Sequence, residues 1–138
     1  MDPLLGHPPE VKRIDDFNMR ETTKELAQLD GAFIVSADGI ILPAARYLNA
    51  ESTGVKLPLG LGARHMAAAA ITRATKAIAV VVSESSVLRV LYQGQIAAEI
   101  IPEIWVLGRE SVNIEGPYEE SKIAGLHIFA CQLPDNMK

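Results

Sequence analysis

Several features are scarce or absent in this sequence, and each shortage excludes a class of protein. The single cysteine among the 138 residues, Cys131, cannot form an intramolecular disulfide, so we expect a buried, inert thiol. The longest apolar runs, Met66–Ile71 and Ala77–Val82, are far shorter than the roughly 18 residues of a membrane span. The N-terminus also lacks the basic start and apolar stretch of a signal peptide. We therefore expect a cytoplasmic protein with no membrane partner.

Positive charge is also in short supply. The chain has 17 acidic and 13 basic residues, which gives a formal net charge of −4. This balance argues against a broad basic surface for nucleic acid, so we expect no nucleic-acid partner. A small anionic ligand needs only a few local positive groups and stays compatible with the composition.

The composition favours one compact α/β domain. Apolar residues make up 49% of the chain and aromatic residues only 5%, so the core is expected to be aliphatic. Pro3, Pro8 and Pro9 oppose regular structure, which predicts an N-terminal arm over residues 1–17. Residues 18–138 are then expected to form a single domain with a mixed central β-sheet flanked by helices.

Two helices are predicted from capping residues and apolar spacing. The first is expected to begin at Asn18, where Glu21 completes a capping box, and to stop at Asp30-Gly31. The second is expected over Ala63–Thr75. Its alanine run, Ala67–Ala70, would allow close packing against a sheet.

The strands are predicted from short apolar runs between turn residues. The continuous run Ala77–Val82 suits a central strand that is covered on both faces. Ala32–Ser36 and Ile40–Leu42 are expected to form a hairpin around Asp38-Gly39. Val87–Tyr92 and Ile96–Ile101 are expected to form a second hairpin around Gln93–Gln95. Two edge strands are expected at Ile104–Leu107 and Ile123–Leu133.

Asp30 is predicted to lie in an unfavourable electrostatic position. A helix carries partial negative charge at its C-terminus, where a carboxylate is destabilised by roughly 0.3–1 kcal/mol. A bound metal ion would reverse the sign of that interaction. The alternative is that Asp30 lies in a solvated turn with Gly31 and has no function.

Arg64-His65 is the second unfavourable placement, because two potential cations meet the positive end of the predicted second helix. Gly60 and Gly62 precede them, and a glycine-containing turn that leads into a helix presents free amides to phosphate. The alternative is that Arg64 points into solvent and His65 packs as a half-buried ring. The segment lacks the Gly-Lys-Ser/Thr ending of a P-loop and the third glycine of a dinucleotide-binding fingerprint.

Ser83-Glu84 is a third candidate, because it lies where a buried strand is predicted to end. Ligands of open α/β sheets bind at such ends. The alternative is an ordinary polar turn.

These three sites together resemble the motifs of diadenylate cyclase domains, and archaeal-type members in particular. Asp30-Gly31-Ala32 resembles their DGA motif, and Leu61–Ala68 resembles a second motif whose usual core is Arg-His-Arg. Thr75–Glu84 is similar to the strand that ends in their Ser-Glu motif. The resemblance covers roughly residues 20–101 in matching order, and Gly6–Val11 resembles a further archaeal segment.

The resemblance implies that each subunit binds one ATP and that two subunits meet face to face. The 3′-hydroxyl of each ATP would attack the α-phosphate of the other, giving cyclic di-AMP and two pyrophosphates with the help of Mg or Mn. A homo-dimer or higher homo-oligomer is therefore expected. One triphosphate with its metal would relieve both unfavourable placements, at Asp30 and at Arg64-His65.

The resemblance also implies roles for single residues. Asp30 would bind the metal and help activate the 3′-hydroxyl, and Arg64 and His65 would hold phosphates. The remaining nucleotide contacts are expected from Gly31, Ala32, Leu48, Gly62, Ser83 and Glu84, with Leu48 against the adenine.

The sequence departs from the motifs it resembles in three ways. Met66 stands where the second arginine is usual, and Ala63 where threonine is frequent. Between the Gly6–Val11 segment and the first helix only Lys12–Phe17 remains, so one sheet strand is expected to be missing. Residues after Val106 could fill the gap, a partner could fill it, or the sheet could keep an open edge. Met66 and the short N-terminus leave an alternative function: a nucleotide-binding or sensory module with weakened catalysis.

Overall fold

The computed structural model describes residues 2–27, 29–83, 86–103 and 112–132. The chain divides into two compact units, Met1–Leu48 and Asn49–Lys138. The bounds expected for the arm and the domain stay a prediction. None of the described helices is long and apolar enough to cross a membrane.

Helix α1 of the first unit spans Phe17–Leu26. Its N-cap is Asp16, whose carboxylate accepts a hydrogen bond of 2.9 Å from the backbone amide of Met19. The predicted cap at Asn18 is therefore wrong by two residues. The predicted stop at Asp30-Gly31 is also too late, because the helix ends at residue 26 and the chain continues through a turn.

The rest of the first unit is a short 3₁₀ turn, Pro9–Val11, and a small hairpin. The predicted hairpin turn at Asp38-Gly39 is present, since the Ser36 amide donates to the Ile40 carbonyl at 2.9 Å. Its arms pair only through isolated bridges and are too short to form the predicted strands. The buried core of this unit is small and aliphatic, and consists of Leu4, Met19, Ile41 and Ala44.

Helix α2 of the second unit spans Ala63–Ala74, which confirms the helix predicted there. The alanines of its middle turns, Ala68 to Ala70, are buried. Thr72 follows them, fully buried, and its hydroxyl accepts a hydrogen bond of 3.1 Å from the Gly94 amide. The C-terminal half of the helix is thereby fixed to the turn that joins two strands of the sheet.

The sheet of the second unit contains five strands in the order β1-β2-β3-β5-β4. Every pairing is antiparallel, so the predicted mixed sheet is wrong for the strands that the structure describes. The parallel pairing would have required crossover connections, whereas short turns join β1 to β2, β2 to β3 and β4 to β5. The strands are β1 Ile78–Val82, β2 Leu88–Tyr92, β3 Gln95–Pro102, β4 Tyr118–Ile123 and β5 Leu126–Cys131.

Among the strands that the structure describes, β1 comes first in the sheet order and pairs with β2 alone, so the predicted central position is not found there. Val81 faces the core and is 7% exposed, whereas Ile78, Val80 and Val82 are exposed. Within the described part of the second unit, this continuous apolar run is therefore the first strand of the sheet order, and one of its faces packs on the core.

The hairpin predicted around Gln93–Gln95 is confirmed as β2 and β3, joined by Gln93-Gly94 with positive φ angles of 51° and 80°. The predicted strand over Ile123–Leu133 is interrupted by a turn at Ala124-Gly125. The second part of it, β5, lies inside the sheet between β3 and β4 and is not an edge strand. The strand predicted at Ile104–Leu107 lies outside the described residues.

The core of the second unit lies between α2 and one face of the sheet. Cys131, which we expect to be a buried thiol, packs against this core but is only half-buried. The buried members are Ala68, Ala69, Val81, Val87, Leu91, Ile96, Ile101, Ile114 and Phe129.

Candidate functional site

Asp30 lies in an exposed turn, and two hydrogen bonds orient its carboxylate. One oxygen accepts from the Gly31 amide at 3.0 Å and the other from the Tyr47 hydroxyl at 2.8 Å. The hydrogen bond to the Asp30 carboxylate and the negative charge of that carboxylate raise the pKa of the Tyr47 hydroxyl. Because α1 ends at residue 26, Asp30 is outside its last turn, and the predicted conflict with the helix dipole is wrong.

Gly31 and Ala32 hold this turn against a second segment of the first unit. Ala32 and Arg46 exchange two backbone hydrogen bonds, of 2.7 and 3.0 Å. Gly31 has a φ of +110°, and a Cβ added there would lie 2.6 Å from the carbonyl carbon of Ala45. The backbone next to Asp30 therefore requires glycine for both its conformation and its contact. Leu48, predicted as an adenine contact, is half-buried and directly follows Tyr47.

We expect Gly31→Ala to destabilise the first unit by roughly 1–3 kcal/mol, because the methyl group would meet backbone atoms at a strained φ. Chemical denaturation followed by circular dichroism measures this change. Gly39→Ala is the matched control, since Gly39 has a φ of +80° but its added Cβ would meet only a side-chain carbon of Ile14 at 3.6 Å. Equal losses for the two variants would contradict a role for the close contact at Gly31.

The start of α2 offers two kinds of group to a ligand, the backbone amides of its first turn and the positively charged side chain of Arg64. Gly62 is the N-cap and makes no side-chain capping bond, and Gly60 before it has a φ of +91°. The Arg64 side chain is exposed. The amides of a first helical turn and a neighbouring guanidinium are groups that bind phosphate.

His65 points the other way, into the interior of the second unit. Its Nε2 lies 3.3 Å from Nη1 of Arg89, and Nε of Arg89 donates to Glu99 at 2.9 Å. All three residues are buried: His65 is 5% exposed, Arg89 is 6% exposed and Glu99 is 0% exposed. Since a guanidinium only donates, Nε2 must accept, which leaves the proton of a neutral ring on Nδ1.

The surroundings of His65 favour its neutral form. Burial lowers the pKa of the imidazole most, the Arg89 charge lowers it further, and Glu99 opposes both. The lowered pKa disfavours a second cation at His65, and the exposed Arg64 is the cation described at the start of α2.

The free energy of unfolding should consequently depend on pH through His65. The folded-state pKa lies below the ordinary value of 6.5, so the unfolded chain binds more protons as the pH falls through that value. We expect stability to be complete above about pH 6.5 and to decline below it. Denaturation of the wild type and of His65→Gln, which retains an acceptor but does not titrate, measures the difference. Parallel profiles for the two proteins would refute this assignment.

Ser83 follows β1 and lies in the turn that leads to β2. Its hydroxyl donates to the Val87 carbonyl at 3.2 Å, and its own carbonyl accepts from the Ser86 amide at 3.1 Å. These bonds shape the turn. Glu84, the second member of the predicted pair, lies outside the described residues.

Comparison with known proteins places these residues in a family. Residues 10–96 match the family model described as "DisA bacterial checkpoint controller nucleotide-binding", abbreviated DAC. The chain belongs to this DAC family. The matched range contains each of the three predicted motifs, from Asp30 to Glu84.

Two archaeal relatives of this DAC chain are both named "Diadenylate cyclase". The relative from Methanocaldococcus jannaschii is 43% identical over 108 residues, which cover 78% of this chain and 34% of the relative. The relative from Haloferax volcanii is 51% identical over 83 residues, which cover 59% of this chain and 31% of the relative. The chain thus spans about a third of the length of the curated relatives it matches. No solved structure matches it.

Three residues that surround the predicted ones within their own units were not predicted from the sequence: Tyr47, which binds Asp30 in the first unit, and Arg89 and Glu99, which lie beside His65 in the second. Arg89 and Glu99 did leave a signal, because a charge within each apolar strand of a predicted hairpin indicates a buried pair. Tyr47 left none, since its partner Asp30 is 17 positions away.

Asp30 is one of the exposed carboxylates in the described part of the DAC chain. Its carboxylate is a hard oxygen ligand with about four acceptor positions, of which the two hydrogen bonds use only part. The described residues contain no group of three or more metal-ligating side chains. Mg²⁺ is commonly bound by one or two carboxylates together with substrate phosphates. The donor set therefore fits a divalent metal that binds together with a nucleotide.

Proposed function

We propose that this chain is a diadenylate cyclase that condenses two ATP molecules into cyclic di-AMP and two pyrophosphates. The observation that carries the proposal is the DAC family match over residues 10–96, which includes all three motifs. The names of the two archaeal relatives support the same reaction.

Arg64 is proposed as the main phosphate ligand. Its side chain is exposed at the start of α2, next to backbone amides that favour an anion. Gly62 would allow phosphate oxygens to approach those amides, and Ser83 and Glu84 would line the phosphate region. His65 could contribute only through Nδ1, because Nε2 accepts from Arg89.

Asp30 is proposed to hold Mg or Mn, with Gly31 and Ala32 providing close backbone contact to the nucleotide and Leu48 an apolar contact to adenine. The metal would neutralise charge on the phosphates and orient the attacking oxygen. Asp30 itself would help activate the 3′-hydroxyl. The Tyr47 hydrogen bond supports this role, since it holds the carboxylate in one orientation.

The reaction needs two ATP molecules, so we propose that two subunits meet face to face, each contributing one. The 3′-oxygen of each ATP forms a bond to the α-phosphorus of the other, and each bond to pyrophosphate breaks. Phosphoryl transfer depends mainly on positioning and charge neutralisation, which an assembly of two small domains can supply.

Incubation of the purified chain with ATP and Mg or Mn tests the proposal. We expect cyclic di-AMP and pyrophosphate in a ratio of one to two, detected by mass spectrometry and a coupled pyrophosphate assay. ATP binding without either product, measured by calorimetry, would overturn the cyclase assignment. Neither binding nor product would overturn a nucleotide-related function altogether.

Two observations favour a second candidate, a nucleotide-binding module of the same family with weakened catalysis. Met66 replaces an arginine of the motif and is half-buried, and Nε2 of His65 is engaged by Arg89. Compared with the motif, the chain thus lacks one phosphate-binding arginine, and one of the two ring nitrogens of His65 is not available to phosphate. The assay above separates this candidate from the cyclase, because only the cyclase releases pyrophosphate.

A further inference from the structure

A buried arginine of the sheet contacts the first turn of α2 inside the second unit. Arg89 of β2 lies opposite Glu99 of β3 and opposite Val81 of β1. Residues directly opposite one another on neighbouring strands share one face of a sheet. Val81 packs in the same core as Ala69 of α2, so this is the face that carries the helix. From there the guanidinium of Arg89 reaches His65.

The two contacts of Arg89 are made by different nitrogens of one rigid plane. Nε donates to Glu99 at 2.9 Å, and Nη1 lies 3.3 Å from Nε2 of His65. The donors of a guanidinium form a planar fork and keep fixed directions relative to one another. The bond to Glu99 therefore also orients the donor that faces His65.

The neutral His65 ring has one N–H donor, and the contact with Arg89 decides which nitrogen carries it. Nε2 accepts from Arg89, so the proton is on Nδ1. Nδ1 is bonded to Cγ, whereas Nε2 lies at the far end of the ring. The acceptor thus points to the interior, and the N–H group stays close to the backbone of the first turn of α2. An N–H group there can donate to a phosphate oxygen, whereas the other tautomer would present a lone pair that repels it.

We propose that Arg89, oriented by Glu99, is a positioning residue that fixes His65 as an Nδ1–H donor to a phosphate of the nucleotide. The inference rests on the proposed function, because it requires a nucleotide at the start of α2. Arg89 acts only through the ring of His65. All three residues belong to the second unit, as does the start of α2.

Nitrogen-15 NMR of the wild-type chain, without nucleotide or metal, gives the first test. At about pH 7.5, above the usual pKa of histidine, Nδ1 of His65 should show the chemical shift of a protonated nitrogen and Nε2 that of an unprotonated one. The chain has three histidines, and the His65 signals are those that disappear in His65→Gln. A proton on Nε2 would overturn the proposal. This result does not depend on the stability of any Arg89 variant.

The affinity for 3′-deoxy-ATP with Mg²⁺ gives the second test, because this nucleotide lacks the attacking hydroxyl and cannot react. The double variant Arg89→Met with Glu99→Leu removes the buried pair. Calorimetry should give a Kd about tenfold or more above that of the wild type, the usual effect of losing one hydrogen bond to a charged group. An unchanged Kd would overturn the proposal.

A matched control removes an exposed ion pair of the same unit. Nζ of Lys122 lies 3.6 Å from Oε1 of Glu103, and both side chains are exposed. Lys122→Met with Glu103→Leu should leave both the Kd and the His65 chemical shifts unchanged. Circular dichroism establishes that the two double variants are folded.

A His65→Ala background shows whether the buried pair acts through the ring. In that background Arg89→Met with Glu99→Leu should cause no further rise in Kd, because the donor that the pair orients is already absent. A second rise of similar size would overturn the positioning role. Cyclic di-AMP formation by a wild type with its proton on Nε2 would overturn this inference and leave the cyclase assignment intact. The expected shifts and Kd values without cyclic di-AMP from ATP would do the reverse.

Discussion

Arg89→Met is expected to lower the free energy of unfolding by about 3–5 kcal/mol, the usual cost of removing one partner of a buried ion pair. Nε of Arg89 lies 2.9 Å from Oε1 of Glu99 and both side chains are almost fully buried, so the variant would remove the Arg89 charge from beside a buried carboxylate. His65 would lose its contact with the guanidinium as well. Urea denaturation followed by circular dichroism measures the loss.

Two control variants show whether the loss comes from removing the Arg89 charge from the buried pair. The double variant Arg89→Met with Glu99→Leu removes both charges and should recover most of the stability. Arg13→Met breaks the exposed pair with Asp15, which has a similar separation of 2.7 Å, and should change stability little. A double variant as unstable as Arg89→Met would contradict an electrostatic origin.

Asp30→Asn is expected to reduce cyclic di-AMP formation by about a hundredfold or more, since loss of even an outer contact of a metal site costs 10–100-fold. The amide keeps an oxygen to accept from Tyr47 but loses the negative charge that would bind the metal. Product is measured by mass spectrometry across a series of Mn²⁺ concentrations, and higher Mn²⁺ should restore part of the activity.

Asp38→Asn provides the matched control, because it makes the same chemical change at another exposed turn of the first unit. It should form product at the normal rate. Tyr47→Phe retains the carboxylate but removes the bond that orients it, and should cause a smaller loss than Asp30→Asn. Normal turnover by Asp30→Asn would refute the metal role while leaving the cyclase activity itself intact.

The parts of the fold that depend on local chemistry could be predicted from the sequence. The glycine-led start of α2 and the Gln93-Gly94 turn between β2 and β3 are specified by neighbouring residues, and both are confirmed. The place of β1 in the sheet was not predictable in this way. An apolar run shows that a strand has at least one buried face, but not how many neighbours it has.

The buried contact between Arg89 and Glu99 shows why side-chain partners were harder to predict. A regular hairpin with a two-residue turn would place Arg89 opposite Ala98. A bulge between Val90 and Leu91 shifts the register, and Arg89 lies opposite Glu99 instead. One extra residue in β3 therefore brings Arg89 opposite Glu99. The two charges are visible in the sequence, but no residue type there indicates the bulge that pairs them.

The buried alanines of α2 have a consequence for the position of Arg64. Ala68, Ala69 and Ala70 present only methyl groups toward the interior, so the helix axis lies close to its surroundings. A larger residue such as valine at position 69 has no space to occupy, and the helix would have to move outward. The distance between α2, which carries Arg64 in its first turn, and the core of its own unit therefore depends on these small side chains.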